Sequence, residues 1–360
     1  MNFFIKTFGC IQNTADSERI KTFYWNEGFI ETDDWKKSDL VIINTCIIRE
    51  SAENRVYGLI NEIDKWNIKN NKHIKIIVTG CLAGLAHKDK TGKKLSQLKR
   101  DFPAVSEFLP IEKISFEIEP LRGKSEIALI PISFGCSNFC SYCIVPFAKG
   151  PEISRKIEAI LNDIDKAIKD DFKQVMLIGQ NVNSYGNDFT EATLVSMGKK
   201  RFKSLFPKLL EEVAKKDLEK ISFVSSNPWD FSDELIETIA KNSNIDRLLH
   251  LPFQAGDDDV LKNMNRGYTS KEYLELVEKI RSKIPDVRFS TDIIIGFPGE
   301  DEKAFENTVE LCKKAKFEIA YINKYSPRKG TVSAKLYKDE IPMKEKKRRW
   351  IILNDLINKK

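Results

Sequence analysis

Short apolar segments alternate with amphipathic segments over the first 120 residues. Each apolar segment has the length of a buried strand and is bounded by polar or turn-forming residues, which predicts strands over 2–8, 38–46 and 73–81. Apolar residues at helical spacing predict helices over 16–28 and 51–66. Because strands that alternate with helices are typical of parallel sheets, we expect an open parallel-sheet α/β domain over residues 1–120.

The same alternation begins again near residue 126 and continues for much longer. Its predicted strands are 127–133, 174–179, 220–225, 247–253, 288–297 and 318–325. Helices are predicted after the first five of these strands, over 155–169, 204–216, 232–242, 270–283 and 301–315. Six strand–helix units predict a partial (β/α)6 barrel over residues 121–335, two units short of a closed eightfold barrel. A basic amphipathic helix is predicted for the remainder, 336–360.

Three cysteines of the first domain follow predicted strands. Cys10, Cys46 and Cys81 each lie just beyond the end of one of them. In open α/β sheets, the loops at the carboxyl ends of parallel strands meet at one edge, where ligands bind. We therefore expect these three thiols, which are far apart in sequence, to lie close together.

Three further cysteines are close in sequence. Cys136, Cys140 and Cys143 have the spacing C-x3-C-x2-C and follow the first strand of the second series. A structural zinc site usually takes four ligands as two pairs, and the sequence has no second C-x2-C, so zinc remains the less favoured alternative. Iron–sulfur clusters normally take four thiolates, and three would leave one iron open to a small molecule. The motif therefore predicts a 4Fe–4S cluster with an open iron.

Composition and charge indicate the cellular compartment and the kind of binding partner to expect. The 360 residues are 41% hydrophobic and 31% charged, and the sequence contains no signal peptide and no apolar segment long enough to span a membrane. We therefore expect a cytoplasmic location, where cysteines are more often ligands than disulfides. The net charge of +6 favours a polyanionic partner, and positive charge is concentrated in two predicted loops and the terminal helix, at 87–100, 199–208 and 341–360.

The C-x3-C-x2-C motif resembles that of the radical S-adenosylmethionine (SAM) superfamily. Longer stretches are similar to those of its methylthiotransferases, above all the branch acting on N6-dimethylallyladenosine in bacterial tRNA. They include "TFGCIQNTADSE" (7–18), "NTCIIRESAENRVY" (44–57), "LIGQNVNSYG" (177–186) and "STDIIIGFPGE" (290–300). The resemblance runs from residue 3 to about residue 350. Lys149 departs from the pattern, because arginine is usual there, and the family's C-terminal RNA-binding β-barrel is expected to be absent.

The resemblance implies two 4Fe–4S clusters and SAM as cofactors. It assigns the dispersed cysteines 10, 46 and 81 to an auxiliary cluster, and cysteines 136, 140 and 143 to the cluster that coordinates SAM. One SAM methylates a sulfur held on the auxiliary cluster, and another is cleaved to a 5′-deoxyadenosyl radical that takes hydrogen from C2 of the adenine. No catalytic residue is assigned beyond the cluster ligands. Cys312 matches neither set, and we expect it to be a buried apolar residue.

Residues near the strand ends are candidates to bind SAM. Loop capping or tight turns would also explain their presence there. The candidates are Gly179, Gln180, Asn181, Arg155, Ser226, Gly296 and Gly299.

The resemblance also implies a substrate and partners. The expected substrate is the adenosine beside the anticodon of tRNA (position 37), within the anticodon stem-loop. Alternatives are threonylcarbamoyladenosine in tRNA, an aspartate of a small-subunit ribosomal protein and, least favoured, a non-enzymatic metal-binding module. We further expect a low-potential electron donor of the flavodoxin or ferredoxin type, no membrane, and a monomer.

Overall fold

The chain divides into two compact units in the computed structural model. The model describes residues 1–47, 50–114, 118–123, 125–189, 194–197 and 199–359, without the side chains of 50–52 and 194–202. Unit one comprises Met1–Ser125, Gly135–Ser137 and Ile144–Pro151. Unit two comprises Glu126–Phe134, Asn138–Cys143 and Glu152–Lys360. The predicted domain boundaries at 120 and 335 remain predictions.

The described part of unit one is a parallel sheet with helices. Its strands are β1 (Asn2–Thr7), β2 (Ile30–Glu31), β3 (Leu40–Thr45), β4 (Lys75–Gly80) and β5 (Glu107–Phe108). Its helices are α1 (Ile11–Asn26), α2 (Glu50–Asn70), α3 (Cys81–Lys88), α4 (Lys93–Asp101) and α5 (Val145–Lys149). The strand order is β2-β1-β3-β4-β5, and every pairing is parallel. The predicted open parallel sheet is confirmed.

Alternating side chains of β3 explain why the sheet of unit one is covered on both faces. Successive residues of a strand point to opposite faces. Val41 and Ile43 contribute to one apolar core, whereas Leu40 and Ile42 contribute to the other. All residues of β3 are buried, as expected for the central strand of a parallel sheet.

Unit two contains a longer series of strands and helices. Its strands are β6 (Ile127–Pro131), β7 (Ser133–Phe134), β8 (Ile153–Ser154), β9 (Gln174–Ile178), β10 (Leu194–Met197), β11 (Lys199–Phe202), β12 (Lys220–Phe223), β13 (Leu248–His250), β14 (Arg288–Ile295) and β15 (Ile319–Lys324). Its helices are α6 (Ile157–Lys169), α7 (Phe206–Ala214), α8 (Asp233–Lys241), α9 (Asp258–Asn263), α10 (Ser270–Lys283), α11 (Glu302–Ala315), α12 (Val332–Leu336) and α13 (Met343–Ile357).

Six parallel strands of unit two correspond to the predicted partial barrel, within the described residues. They form a sheet in the order β12-β9-β6 and a second sheet in the order β13-β14-β15. A single parallel bridge, between Ile221 and Ile245, lies at the junction of the third and fourth strand–helix units. Within the described residues, the six strands therefore form two sheets connected by this bridge rather than one continuous ladder.

Local sequence explains where the helices of unit two begin and which face they bury. In α6, Ile160, Ile164 and Ala167 recur at helical spacing and are buried. At the start of α10, the Thr269 hydroxyl accepts a hydrogen bond from the Glu272 amide at 3.2 Å, and the Glu272 carboxylate accepts one from the Thr269 amide at 2.7 Å. This reciprocal capping explains why the predicted bounds of 270–283 are confirmed.

Several predicted details were wrong. The first helix begins at Ile11 rather than at 16. The basic segment 87–100 is not a loop, because it contains the end of α3 and most of α4. The segment 199–208 contains β11 and the start of α7, and the side chains of its first four residues lie outside the described part.

The terminal helix α13 is only partly a basic surface. The Lys346 ammonium donates hydrogen bonds to the carbonyl of Tyr325 at 2.9 Å and to Asp339 at 2.6 Å. Arg349 pairs with Glu300 at 2.8 Å and is 4% exposed. The prediction of a polyanion-binding surface counted Lys346 and Arg349, but acidic residues of unit two neutralise both side chains.

None of the helices in the described ranges combines the length and the apolar character that crossing a membrane requires.

Candidate metal centres

The three dispersed cysteines follow neighbouring strands of unit one. The strands β1, β3 and β4 lie side by side, with Thr7 opposite Asn44 and Thr45 opposite Gly80. Cys10, Cys46 and Cys81 come one to three residues after the ends of these strands. The predicted positions at one edge of the sheet are therefore confirmed.

A glycine allows the chain to turn directly from β4 into α3. Gly80 has a φ of +81°, in the left-handed region, and a Cβ there would lie 2.5 Å from the carbonyl oxygen of Thr45. Cys81 is consequently the first residue of α3, and Cys10 immediately precedes α1. The positive end of a helix dipole favours a thiolate, so both positions suit thiolate ligands.

The three cysteine side chains of unit one interact electrostatically with one another. Cys46 and Cys81 are 4% and 2% exposed. Burial, with smaller contributions from Cys46 and Cys10, raises the pKa of Cys81 to about 12, whereas Lys149 opposes the shift. These interactions agree with the neighbouring strand ends after which the three cysteines lie.

The donor set fits an iron–sulfur cluster better than a single metal ion. Each of the seven cysteines is a thiol rather than half of a disulfide. Throughout the described ranges, no three His, Cys, Asp or Glu side chains are grouped as the ligands of a single metal ion. A cluster binds each thiolate at a different iron, so its ligands stand farther apart than those of one ion. Three thiols at one sheet edge, two of them buried, suit such a cluster.

A buried ammonium accompanies the thiols of unit one. The side chain of Lys149 is 7% exposed, and its Nζ lies 3.8 Å from Asp16 Oδ2. Burial alone would lower the pKa of Lys149, but Asp16 and the three thiols together raise it above its usual value. Burial raises the pKa of Asp16, although Lys149 and a 3.3 Å hydrogen bond from Gln12 oppose the shift. Lys149 is therefore charged at neutral pH.

Close packing of two helices holds Lys149 in this position. A Cβ on Gly84 of α3 would lie 2.4 Å from the carbonyl oxygen of Ala148 in α5, so glycine permits the approach of the two backbones. Lys149 is the last residue of α5, and the preceding residues Ile144 and Ala148 belong to the apolar core of unit one. The packing of this apolar segment thus fixes the position of the ammonium.

The cysteines of the C-x3-C-x2-C motif are divided between the units. Cys136 belongs to unit one, where its amide donates to the carbonyl of Gly150 at 3.1 Å. Cys140 and Cys143 belong to unit two, where the Cys143 amide donates to the Cys140 carbonyl at 2.9 Å. The residue between them, Ser141, donates from its amide to the carbonyl of Met264 at 3.0 Å. This tight turn is anchored to the segment that follows α9.

A buried guanidinium contacts one sulfur of the motif. Arg266 is 8% exposed, and its Nη1 lies 3.4 Å from Cys140 Sγ. Its Nε donates to the Tyr268 hydroxyl at 3.1 Å and its Nη2 to the carbonyl of Pro252 at 3.2 Å. The guanidinium also lies over the ring of Trp229, 4.5 Å from the centroid. Hydrogen bonds and positive charge beside a ligating sulfur stabilise the reduced form of a cluster.

The predicted SAM-binding residues lie beyond the carboxyl ends of the strands of unit two. Gly179, Gln180 and Asn181 follow β9, and the Asn181 amide donates to Asp230 at 2.8 Å. The side-chain oxygen of Asn181 has no hydrogen-bond partner within the described part, although the residue is only 1% exposed. Ser226 follows β12, and its hydroxyl donates to the carbonyl of His250.

Two other parts of the predicted SAM site have structural roles. Arg155 donates to the carbonyl of Pro131 at 2.8 Å and pairs with Asp163 at 2.9 Å. Gly296 and Gly299 follow β14, with φ values of +68° and +88°. These contacts explain the positions of the residues, and their assignment to SAM remains a prediction.

Cys312 lies where it was expected, and His250 also has a structural explanation. His250 Nδ1 accepts from the Ser225 amide at 3.1 Å, and its Nε2 lies 3.4 Å from Asp292, which accounts for this histidine structurally. Cys312 is 3% exposed in the apolar core of unit two, and burial raises the pKa of its thiol.

Sequence reasoning did not identify Lys149 or Arg266 as parts of the cysteine environments. Lys149 directly follows the apolar segment "IVPFA", so a charged residue there had to be either exposed or paired in the interior. Arg266 stands in "MNRGYT", a polar segment without a local pattern that indicates burial.

Two family models match the chain. The model of the radical SAM superfamily matches residues 130–312. The model described as uncharacterized protein family UPF0004 matches residues 2–100.

Known proteins resemble the chain over nearly its whole length. The tRNA-2-methylthio-N(6)-dimethylallyladenosine synthase of Thermotoga petrophila is 41% identical, covering 100% of this chain and 83% of the relative. The synthase of the same name from Clostridium botulinum (strain Okra) is 39% identical and covers 99% and 81%. The methyltransferase TsrM of Kitasatospora setae, solved with cobalamin and a [4Fe-4S] cluster, shares the fold with a TM-score of 0.60 at 13% identity, over 92% of this chain and 77% of that one.

Proposed function

This chain belongs to the tRNA-2-methylthio-N(6)-dimethylallyladenosine synthase family of the radical SAM superfamily, and from that membership we propose that it attaches a methylthio group to C2 of N6-dimethylallyladenosine in tRNA. The observation that supports this reaction most directly is that Cys10, Cys46 and Cys81 each follow one of three neighbouring parallel strands of unit one. A radical SAM motif alone is compatible with many reactions. A second set of three thiols in the same chain provides a place to hold the sulfur that is transferred.

We assign the ligands of two 4Fe–4S clusters in this proposal. The auxiliary cluster is held by Cys10, Cys46 and Cys81, and the SAM-coordinating cluster by Cys136, Cys140 and Cys143. When bound, these cofactors and SAM would supply the radical chemistry and a place to hold the transferred sulfur.

The side chains of the chain bind, orient and neutralise charge. Lys149 balances the negative charge of the buried thiolates in unit one, and Arg266 donates to the sulfur of Cys140. Contacts to SAM are made by residues after β9, β12 and β14. The side-chain oxygen of Asn181, which has no partner among the described residues, is a hydrogen-bond acceptor available to the SAM amino group.

The exposed face of α4 is a candidate contact for the tRNA backbone. Lys93, Lys99 and Arg100 are exposed there, whereas Lys346 and Arg349 of the terminal helix are buried. Positive side chains of this kind bind phosphates without reading sequence. We expect binding of the anticodon stem-loop to weaken as salt is increased.

The remaining partner follows from what the proposed reaction requires. Reductive cleavage of SAM requires a low-potential electron donor of the flavodoxin or ferredoxin type. We place the reaction in the cytoplasm, where tRNA is modified, and propose that the chain acts as a monomer.

Nucleoside mass spectrometry of tRNA tests the proposal. A host that lacks its own enzyme should regain 2-methylthio-N6-dimethylallyladenosine when it expresses this chain. A matched host that expresses Cys46→Ala should contain only N6-dimethylallyladenosine. Recovery of methylthiolated threonylcarbamoyladenosine, or of a methylthiolated ribosomal protein with tRNA unchanged, would contradict the choice of substrate.

A further inference from the structure

Lys149 has hydrogen-bond donors that the protein does not use. Within the described residues, its ammonium has no hydrogen-bond partner. The separation of 3.8 Å from Asp16 is an ion pair without a hydrogen bond. Buried polar groups are almost always hydrogen-bonded, so an ammonium with a 7% exposed side chain and no acceptor requires an explanation.

Pairing with Asp16 alone does not explain the position of Lys149. A buried lysine that serves as a counter-ion can reach hydrogen-bond distance of its carboxylate, as Lys346 does with Asp339 at 2.6 Å. Lys149 instead remains at a distance from Asp16 while it interacts electrostatically with Cys81, Cys10 and Cys46. Within the described residues, its side chain therefore lies near a carboxyl group and three thiols without donating a hydrogen bond to any of them.

An acceptor that comes from outside the protein would complete this arrangement. It must be small, because the surroundings are buried, and anionic, because it faces a cation. It must also have affinity for iron, because the three thiols leave one coordination position open in the proposed cluster. A monoanionic sulfur species meets all three requirements.

We propose that Lys149 binds an anionic sulfur ligand, a hydrosulfide or an alkyl thiolate, through a hydrogen bond from its ammonium at the open position of the auxiliary site. The inference rests on the proposed function, because it requires the cluster held by Cys10, Cys46 and Cys81. Lys149 is thus a positioning residue for the sulfur that is transferred.

The experiment uses a full-length chain in which only the auxiliary cluster can form. Cys136, Cys140 and Cys143 are replaced by alanine, the protein is reconstituted anaerobically, and sodium methanethiolate is titrated while the EPR spectrum of the reduced cluster is recorded. In this background, Lys149→Met should weaken methanethiolate binding at least tenfold, which corresponds to about 1.4 kcal/mol. Lys149→Arg, which keeps the charge and donors, should restore binding to within about threefold of that background.

A matched lysine controls for loss of charge alone. Lys88 lies in the same unit and pairs with Glu112, so Lys88→Met should leave methanethiolate binding unchanged. Equal affinity of the Lys149→Met and Lys149 proteins, each with a full complement of iron, would overturn the inference. Absence of iron from the parent triple variant would overturn both the inference and the two-cluster proposal.

A second measurement does not depend on the folding of a variant. With 15N-labelled lysine and Lys149 intact, addition of methanethiolate should produce a 15N hyperfine coupling to the reduced cluster. Its absence, with methanethiolate bound, would overturn the inference even if Lys149→Met fails to retain its cluster.

Discussion

The two cysteine environments each contain one buried cation, but the cations are used differently. In unit one, Lys149 lies near three thiols and makes no hydrogen bond within the described residues. In unit two, Arg266 makes hydrogen bonds with all three of its nitrogens, one of them to Cys140 Sγ. A cation that donates from each of its nitrogens fixes the protein around the sulfur of a proposed cluster ligand. A cation with unused donors is prepared for a ligand that arrives later.

Removal of one cysteine from each set gives the largest effect. We expect Cys46→Ala and Cys140→Ala each to lower the iron content from about eight to about four atoms per chain. SAM cleavage should be lost in Cys140→Ala and retained in Cys46→Ala, while neither variant methylthiolates tRNA. Iron analysis and 5′-deoxyadenosine formation are the measurements. Modified tRNA from either variant would remove the basis of the comparison.

Replacement of Arg266 tests whether a cation that donates from each of its nitrogens stabilises the fold and changes the potential of the nearby cluster. Arg266→Met leaves the carbonyl of Pro252 without this donor and should lower the free energy of unfolding by about 2–4 kcal/mol. Loss of the positive charge beside Cys140 should also make the midpoint potential of the SAM-coordinating cluster more negative, as measured by EPR redox titration.

Arg281 provides the matched control for Arg266. It lies over the ring of Phe289 and donates to the carbonyl of Ala315, but it contacts no cysteine sulfur in the described part of the chain. Arg281→Met should therefore destabilise unit two without changing the cluster potential. Equal potentials in the two variants would show that the contact with Cys140 has no electronic effect.

Replacement of Gly84 tests how strictly the packing of unit one positions Lys149. A Cβ at this position would meet the Ala148 carbonyl at 2.4 Å, so Gly84→Ala must separate α3 from α5 and should destabilise the protein by about 1–3 kcal/mol. Gly58 of α2 has open space around its Cα, and Gly58→Ala should stabilise the protein by up to about 1 kcal/mol. Thermal unfolding distinguishes the two, and equal effects would contradict the close packing.

The smallest expected effect concerns a buried carboxyl of unit two. Asp16 in unit one has an ammonium beside it, whereas Glu152 in unit two is faced by Asp230 and Asp188. Burial raises the pKa of Glu152 to about 7, although the Ser184 hydroxyl donates to it at 2.6 Å.

A raised carboxyl pKa stabilises the fold below the unfolded pKa of 4.5, and this contribution is lost as the pH rises through 7. Glu152→Gln should reduce the fall in unfolding free energy between pH 5 and pH 7.5 by on the order of 1–2 kcal/mol. Urea unfolding at several pH values is the measurement. An unchanged pH dependence would contradict the raised pKa.

The positions of the dispersed cysteines could be predicted because strand ends are visible in the hydrophobic pattern. The segment before Cys46 is apolar and β-branched, and it forms the fully buried β3. Its neighbours β1 and β4 have similar patterns, so the convergence of their ends followed from the parallel order. The helix α3 was missed because β4 continues into it at Gly80 without a polar loop.

The cations could not be predicted because their roles depend on distant residues. Lys149 faces Asp16, which is more than a hundred positions earlier in the chain. Similarly, the charge pattern of the terminal helix indicated a basic face, but Glu300 and Asp339 decide which of its cations are buried. Local periodicity contains no information about such pairs.

Unit one is not completed before unit two begins. The chain enters unit two at Glu126 and returns to unit one for residues 135–137 and 144–151. During translation, all three dispersed cysteines are therefore made by residue 81, whereas Lys149 follows 68 residues later. A nascent chain has the thiols before it has their counter-charge. Moreover, any N-terminal fragment that contains the whole of unit one also contains the first strand of unit two, so proteolysis at a single bond cannot separate them.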